Sequence, residues 1–358
     1  MHEIAPPPPR SRRLTRGRRL AVLLAVSLLG LPALTGQATA DAGRAVGDTG
    51  RITEFEPPTA GSGPVGIIGG PDGNVWFTEG TTNKIGRITP KGRITEFPLP
   101  EPNRFPDDIA TGADGNLWFT EPGVNKIGRI TPRGQVTEFA VSTADAYPFG
   151  ITRGPDGNVW FTENGGNKIG RITPRGRITE FPLPNPDSFP YRITAGPDGN
   201  LWFTMPFGNK LGRITPRGQV TEFALPNPDG APFNIVAGPD GNLWFTDGGS
   251  GFSNEIVRIS PDGKHVKRFP LQTPNTGPIG IAKGPDGALW FTESNQNKIG
   301  RITTHGRITE YAIPTPNLEN TPFHIAAGPD GNMWFTELIG NRIGRVKVGG
   351  HAAGGPRG

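Results

Sequence analysis

Gly154-Pro155-Asp156-Gly157-Asn158-Val159-Trp160-Phe161-Thr162-Glu163 decides the fold of this chain, because it recurs. The seven tryptophans of the sequence are Trp76, Trp118, Trp160, Trp202, Trp244, Trp290 and Trp334. They are spaced by 42, 42, 42, 42, 46 and 44 residues, and each is followed by Phe-Thr. A repeat of this length, present seven times, is the signature of a β-propeller.

Reading outward from Trp160 divides one repeat into four short strands. Strand A is expected over 149–153, strand B over 159–163, strand C over 168–173 and strand D over 177–181. Gly154-Pro155-Asp156-Gly157-Asn158 forms the A–B turn and Pro174-Arg175-Gly176 the C–D turn, since Pro and Asp suit early turn positions and Gly permits positive φ. Trp160 and Phe161 are neighbours and so face opposite sides of their sheet, which suits a blade covered by neighbours on both faces. Gly170 inside strand C implies a bulge or a close approach, for example of the neighbouring blade. No helix is expected in the chain after the leader.

The repeat phase also predicts closure. Asn341-Arg342-Ile343-Gly344-Arg345-Val346 is a strand C with no strand D after it. Gly50-Arg51-Ile52-Thr53-Glu54-Phe55 is a strand D with no strand C before it. One blade is therefore shared between the two ends, which hides the sheet edges that would otherwise be exposed. The expected architecture is an all-β, seven-bladed propeller over 50–348. Flexible ends are expected over 41–49 and 349–358. A closed ring needs no partner, so a monomer is expected.

Composition separates the first 40 residues from the rest. Arg10, Arg12, Arg13, Arg16, Arg18 and Arg19 precede the apolar run Leu20–Leu31, and Ala38-Thr39-Ala40 offers a small-x-small cleavage site. This pattern predicts a secretory signal peptide and a secreted or extracytoplasmic protein. Ser27 and Gly30 interrupt the short run and argue against a membrane anchor. Ser11-Arg12-Arg13 resembles a twin-arginine start, with Thr15 where that signal usually has an aromatic residue. The leader carries six Arg and Glu3, and the whole chain is +5, so the chain from Asp41 onward is formally neutral. The basic balance of the full sequence is thus no argument for nucleic acid, and no membrane span is expected after the leader. The absence of cysteine excludes disulfides, thiolate metal ligands and a cysteine nucleophile.

The A–B and C–D turns lie on one face of the ring, here the bottom, and barely vary. The B–C and D–A loops lie on the top face and do vary. The longer steps come mainly from 247–253 and 316–321. Variation confined to one face of a repeat scaffold points to the binding face. The heads of the A strands carry Val65, Asp107, Phe149, Tyr191, Phe233, Ile279 and Phe323, followed by Gly66, Asp108, Gly150, Arg192, Asn234, Gly280 and His324. Which set points into the channel stays open at this point. Asp107, Asp108, Phe149, Tyr191, Arg192, Phe233, Asn234 and Phe323 are the expected ligand-binding residues, an aromatic mouth suited to an organic ligand. Aromatic packing beneath the D–A loops is the alternative.

Few groups suit chemistry. Glu79, Glu121, Glu163, Glu293 and Glu337 follow the Trp-Phe-Thr motif, with Met205 and Asp247 in the remaining blades. An acid repeated in most blades reads first as structural, paired with the lysine that opens strand C. Met205 and Asp247 mark blades four and five as different. His324 is the histidine placed near the top face; His265 and His305 fall at bottom turns. No serine elbow is evident.

The repeats Gly-Pro-Asp-Gly-Asn-Val-Trp-Phe-Thr-Glu, Asn-Lys-Ile-Gly-Arg-Ile-Thr and Gly-x-Ile-Thr-Glu-Phe-x-Leu-Pro resemble those of the virginiamycin B lyases, also called streptogramin B lyases. The resemblance covers about residues 50–348. It implies a seven-bladed propeller whose active members linearise type B streptogramin depsipeptides by elimination at the ester, using Mg²⁺. Their pattern has a Pro-His pair at the head of strand A in each of the last two blades. Here those places read Pro278-Ile279 and Pro322-Phe323, and His324 is one position late. That step turns a side chain to the other side of a regular strand. Thr321 and Leu338 stand where the pattern has acids, and Val65 where it has a tyrosine. If the lyase chemistry operates, the catalytic candidates are His324 and Glu337 and the Mg²⁺ candidates are Glu293 and Glu337. The expected function is binding of an organic, peptide or cell-wall ligand at the channel mouth. The alternative is a Mg²⁺-dependent carbon–oxygen lyase.

Overall fold

The computed structural model describes residues 49–248, 254–316 and 320–349. The expectations for the leader and for the two flexible ends therefore lie outside the described residues, except at Thr49 and Gly349. Seven four-stranded antiparallel sheets form the blades of a propeller. Blade three shows the pattern: strand A Pro148–Arg153, strand B Val159–Glu163, strand C Lys168–Ile172 and strand D Ile178–Pro182. Blade seven takes its strand D from the other end of the chain. Ile52–Phe55 pairs antiparallel with Arg342–Val346, with Ile52 opposite Val346 and Phe55 opposite Ile343. The phase argument from the two ends is met strand for strand. Helical residues are confined to two single 3-10 turns, Pro122–Val124 and Pro206–Gly208, in B–C loops. No described helix is long and apolar enough to cross a membrane.

The repeated motif supplies both faces of each blade. Trp160 packs with Phe203 of the following blade, and Phe161 with Trp118 of the preceding one. All seven tryptophans are fully buried. Each indole N–H donates to the aspartate of its own A–B turn, as Trp160 does to Asp156 at 3.0 Å. The indole also stacks on the strand-D aromatic ring, with Trp160 and Phe181 centroids 5.4 Å apart. Arg171 of strand C lies over both rings and donates to the Pro216 carbonyl of the next blade. The glycine of strand C has a closer cause than a neighbouring blade. Gly170 sits opposite Phe161 of its own blade, and a Cβ there would collide with the phenyl ring.

The threonine of the motif joins the blades around the channel. Thr162 accepts the Gly150 N–H at 2.9 Å and donates to the Tyr191 carbonyl of the next blade at 2.7 Å. All seven threonines donate in this way, and Thr336 carries the contact across the closure to the Val65 carbonyl. A hydroxyl that both accepts and donates is needed, which Val at this position would not provide.

Candidate functional site at the channel mouth

The heads of the A strands are not regular strand. Pro148 pairs with Glu163 and Ile151 with Phe161, so one extra residue is held between them as a bulge. The same shift occurs in blades one, five, six and seven. In blades two and four, two consecutive residues bond the backbone of one threonine: Asp107 and Asp108 bond Thr120, and Tyr191 and Arg192 bond Thr204. A bulge breaks the alternation of side chains. The expectation that His324, one place late, turns away from its neighbour is therefore corrected. The rings of Phe323 and His324 stack, 5.0 Å apart and 9° from parallel.

The two head sets do different work. In the first, Phe149, Tyr191, Phe233 and Phe323 form one buried aromatic cluster, with Val65, Ile279, Tyr147 and Leu338 packed against it. Ring centroids run 5.5 Å from Phe149 to Tyr191, 4.7 Å on to Phe233 and 6.4 Å on to Phe323. In the second set, glycines at 66, 150 and 280 separate the polar residues Asp108, Arg192, Asn234 and His324. These glycines are demanded by space. A Cβ on Gly66 would lie 2.6 Å from the Asp107 carbonyl oxygen, and one on Gly150 2.6 Å from that of Tyr191.

Across this gap the polar side chains meet. Arg192 of blade four donates from Nη1 to Asp107 Oδ1 of blade two at 2.7 Å, with Asp108 Oδ2 at 3.3 Å. Its Nη2 lies 3.4 Å from the Tyr191 hydroxyl, and its guanidinium carbon stands 4.6 Å over the Tyr191 ring. His324 Nδ1 of blade seven is 3.9 Å from Asp108 Oδ1. Arg192 and His324 are almost fully buried, and Arg192 Nε and His324 Nε2 find no partner among the described residues. Asn234 uses its Oδ1 to accept the Ile235 N–H.

Burial dominates the titration of this cluster. It pushes the Asp108 carboxyl up to about 6, against the pull of Arg192. Burial, then the Arg192 cation, holds His324 well below the ordinary histidine range, so its imidazole is neutral at pH 7. Burial raises the Tyr191 phenol out of reach of physiological pH, and the two aspartates hold Arg192 charged. Asp107, Asp108 and Arg192 together leave one negative charge in excess.

The repeated glutamates lie elsewhere. Glu293 and Glu337 are fully buried in separate blades. Burial raises both to about 8, assisted by the strand-D glutamates Glu310 and Glu54 beside them. The strand-C lysine that was expected to pair with this acid pairs with the strand-D acid instead: Lys298 meets Glu310 at 2.7 Å and Lys84 meets Glu96 at 2.6 Å. Glu337 does not come within ion-pair distance of His324, whose carboxylate partner is Asp108. Among the described residues no group of three or more His, Asp or Glu side chains is placed to hold a metal ion. Of the two exceptional blades, Met205 fills the core and Asp247 accepts the Ala231 N–H, organising its D–A loop.

Two features escaped sequence reasoning. Arg104, 1% exposed, holds Glu138 at 3.0 Å, Glu101 at 3.2 Å and Glu121 at 3.8 Å. Its signal was a long charged side chain in a column otherwise filled by Ser62, Ala146, Ser188, Gly230, Thr276 and Asn320. Phe105, Tyr147 and Phe189 precede the head prolines with positive φ of 49°, 46° and 46°. Such strain collects at functional edges. The large hydrophobic side chains left exposed among the described residues, Phe105, Phe207 and Ile339, all lie in top-face loops.

The fold and the site define a seven-bladed propeller with an aromatic, charge-lined mouth. The chain belongs to the virginiamycin B lyase family, whose model matches residues 33–188 and 152–354. It is similar to a solved streptogramin B lyase at 40% identity and TM-score 0.78, covering 84% of this chain and 98% of that one. It is also similar to the virginiamycin B lyase of Staphylococcus aureus, at 41% identity, TM-score 0.78, and 83% and 99% coverage. A further match is a catalytically inactive histidine-to-alanine variant of that lyase with quinupristin, at 40% identity, TM-score 0.78, and 83% and 99% coverage.

Proposed function

We propose that this protein binds a peptide or other organic ligand across its channel mouth and does not perform the elimination of its lyase relatives. One observation carries the reading. Ile279 and Phe323 occupy the places where the family pattern puts histidines, and the histidine that remains near the mouth, His324, is almost fully buried. His324 is neutral, stacked on Phe323 and close to Asp108. A general base must reach the proton it removes, and its loss alone costs about 10²–10⁴ in rate. The inactive S. aureus variant is itself described with quinupristin, so a family scaffold lacking a histidine is compatible with a bound ligand. The aromatic cluster supplies flat apolar surface, and the excess negative charge beside Arg192 favours a ligand with a cationic or hydrogen-donating group.

The test is incubation of the chain with a type B streptogramin, with and without Mg²⁺. Elimination leaves the mass unchanged, so chromatography and fragmentation must read the product. The expected outcome is calorimetric binding without linearisation. A linearised product would overturn the reading in favour of the lyase alternative, which family membership supports. No binding of any cyclic peptide tried would remove the mouth as the ligand site. The Arg-rich leader motivates an extracytoplasmic location. Sequencing of exported protein is expected to start at Asp41, and the closed ring is expected to elute as a monomer.

A further inference from the structure

We propose that the bottom face of the propeller is an electrostatic docking surface for an anionic phospholipid bilayer, independent of the ligand site on the top face. The formal neutrality of the chain after the leader conceals a sorting of charge between the two faces. The top face carries Asp107 and Asp108 and the exposed loop acids Glu101, Asp145, Asp187 and Asp229. The C–D turns of the bottom face carry Lys91, Arg133, Arg175 and Arg217, all exposed. Blades one, three and six add Arg93, Arg177 and Arg307 just after the turn glycine, also exposed. None of these seven side chains has a hydrogen-bonding or ion-pair partner among the described residues.

The acids of the same face do not cancel them. The A–B turn aspartates each accept an indole N–H. In five blades that aspartate also lies within 4 Å of the strand-C arginine, from Arg301–Asp286 at 2.6 Å to Arg171–Asp156 at 3.9 Å. One strand-C arginine thus answers one aspartate, and the turn cations are surplus. Blade five is the exception, where Asp262 offsets Lys264 within one turn.

The shape favours a flat partner over a linear one. The turns share one geometry, closed by a bond such as Gly92 N–H to the Thr89 carbonyl at 2.8 Å, repeated at Gly134, Gly176, Gly218 and Gly306. The cations therefore stand at matching heights around the ring, where a single chain would meet only an arc of them. Arg and Lys at such a surface recognise phosphate headgroups. The exposed hydrophobic side chains lie on the opposite face, so the contact is electrostatic, without insertion, and it leaves the channel mouth facing away from the membrane.

The test is sedimentation of the full chain with vesicles of phosphatidylcholine alone or of equal parts phosphatidylglycerol and phosphatidylcholine. Binding is expected only to the anionic vesicles, and is expected to disappear between about 50 mM and about 500 mM salt, where the Debye length shortens severalfold. Combined Lys91→Gln, Arg133→Gln, Arg175→Gln and Arg217→Gln is expected to weaken it at least about tenfold, with the thermal transition unchanged. A second variant works in the opposite direction. Gln135→Arg with Gln219→Arg gives blades two and four the cation that blades one, three and six already have, and is expected to tighten binding. Failure to bind anionic vesicles, retention on heparin without vesicle binding, or binding indifferent to both variants would each overturn the proposal.

Discussion

The bodies of the blades and the heads of the A strands obey opposite rules. Strands B and C repeat almost residue for residue, and each repeated side chain has a task shared by all blades. The indole bonds a turn aspartate, the phenyl ring covers a glycine in every blade but the fifth, where Val257 stands, and the threonine ties one blade to the next. The head positions differ from blade to blade, and there Asp107, Asp108, Arg192 and His324 from three separate blades converge. Repetition marks what every interface needs; singularity marks what one place in the channel needs. The glutamates after the motif belong to the first class, since each sits beside its own strand-D acid. His324 belongs to the second.

Breaking the repeated class should cost the most. Trp160→Ala removes a fully buried indole and one of the hydrogen bonds to Asp156. The expected loss is about 3–5 kcal/mol in denaturant unfolding. A loss below about 1 kcal/mol would show that the blade interface does not depend on it. Arg192→Met should come next, at about 3 kcal/mol, because Asp107 and Asp108 lose the cation that holds them. Adding Asp107→Asn and Asp108→Asn should recover much of that loss. If the triple variant is no more stable than the single one, the cluster is not held together by charge. Thr162→Val should cost about 1 kcal/mol by removing the hydroxyl's bonds to the Gly150 N–H and the Tyr191 carbonyl, which keep their direct bond to each other at 3.0 Å.

The glutamates make a pH prediction. Burial raises Glu121, Glu163, Glu293 and Glu337 to about 8 and Glu79 to about 7, above an ordinary value of 4.5. The folded state therefore holds more protons than the unfolded state between these values. Stability is then fully present below about pH 4.5 and falls as pH rises toward 8, by at most about 1.4 kcal/mol per unit for each group. Asp72, Asp114, Glu96 and Glu180 are lowered and act oppositely, losing their contribution as pH falls below the carboxylate range. Thermal midpoints should peak on the mildly acidic side, and Glu163→Gln should flatten the alkaline limb. A midpoint that rises from pH 6 to pH 8 would contradict this. The smallest effect is expected at Arg175→Gln, within about 0.5 kcal/mol, since that exposed side chain has no partner. Its consequence should appear only in adsorption to an anionic surface.

The two classes were not equally legible. The tryptophan spacing and the split strand of blade seven could be read because periodic burial leaves a periodic pattern, and an unfinished strand at one end matched an unstarted one at the other. Gly170 was visible as an anomaly, but its cause, the Phe161 ring, required the register of strands B and C. His324 was misjudged because strand alternation was assumed where a bulge resets it. The carboxylate nearest His324 could not be read from its own blade, because that carboxylate is Asp108 of blade two. Arg104 was overlooked although it is the one charged residue in its column.

The sequence by itself determined a ring of seven blades, the place of its closure and the face that varies. Short-range hydrogen bonding and alternation produce those features, and both are written in local spacing. Tertiary structure alone decided which head residues meet across the channel, which acids are buried beside other acids, and that residues 41–358, formally neutral as a whole, have one basic face. The first depends on bulges and on contacts between residues more than eighty positions apart, where small displacements of backbone settle which charges touch, and the others on strand register and on which turns share a face.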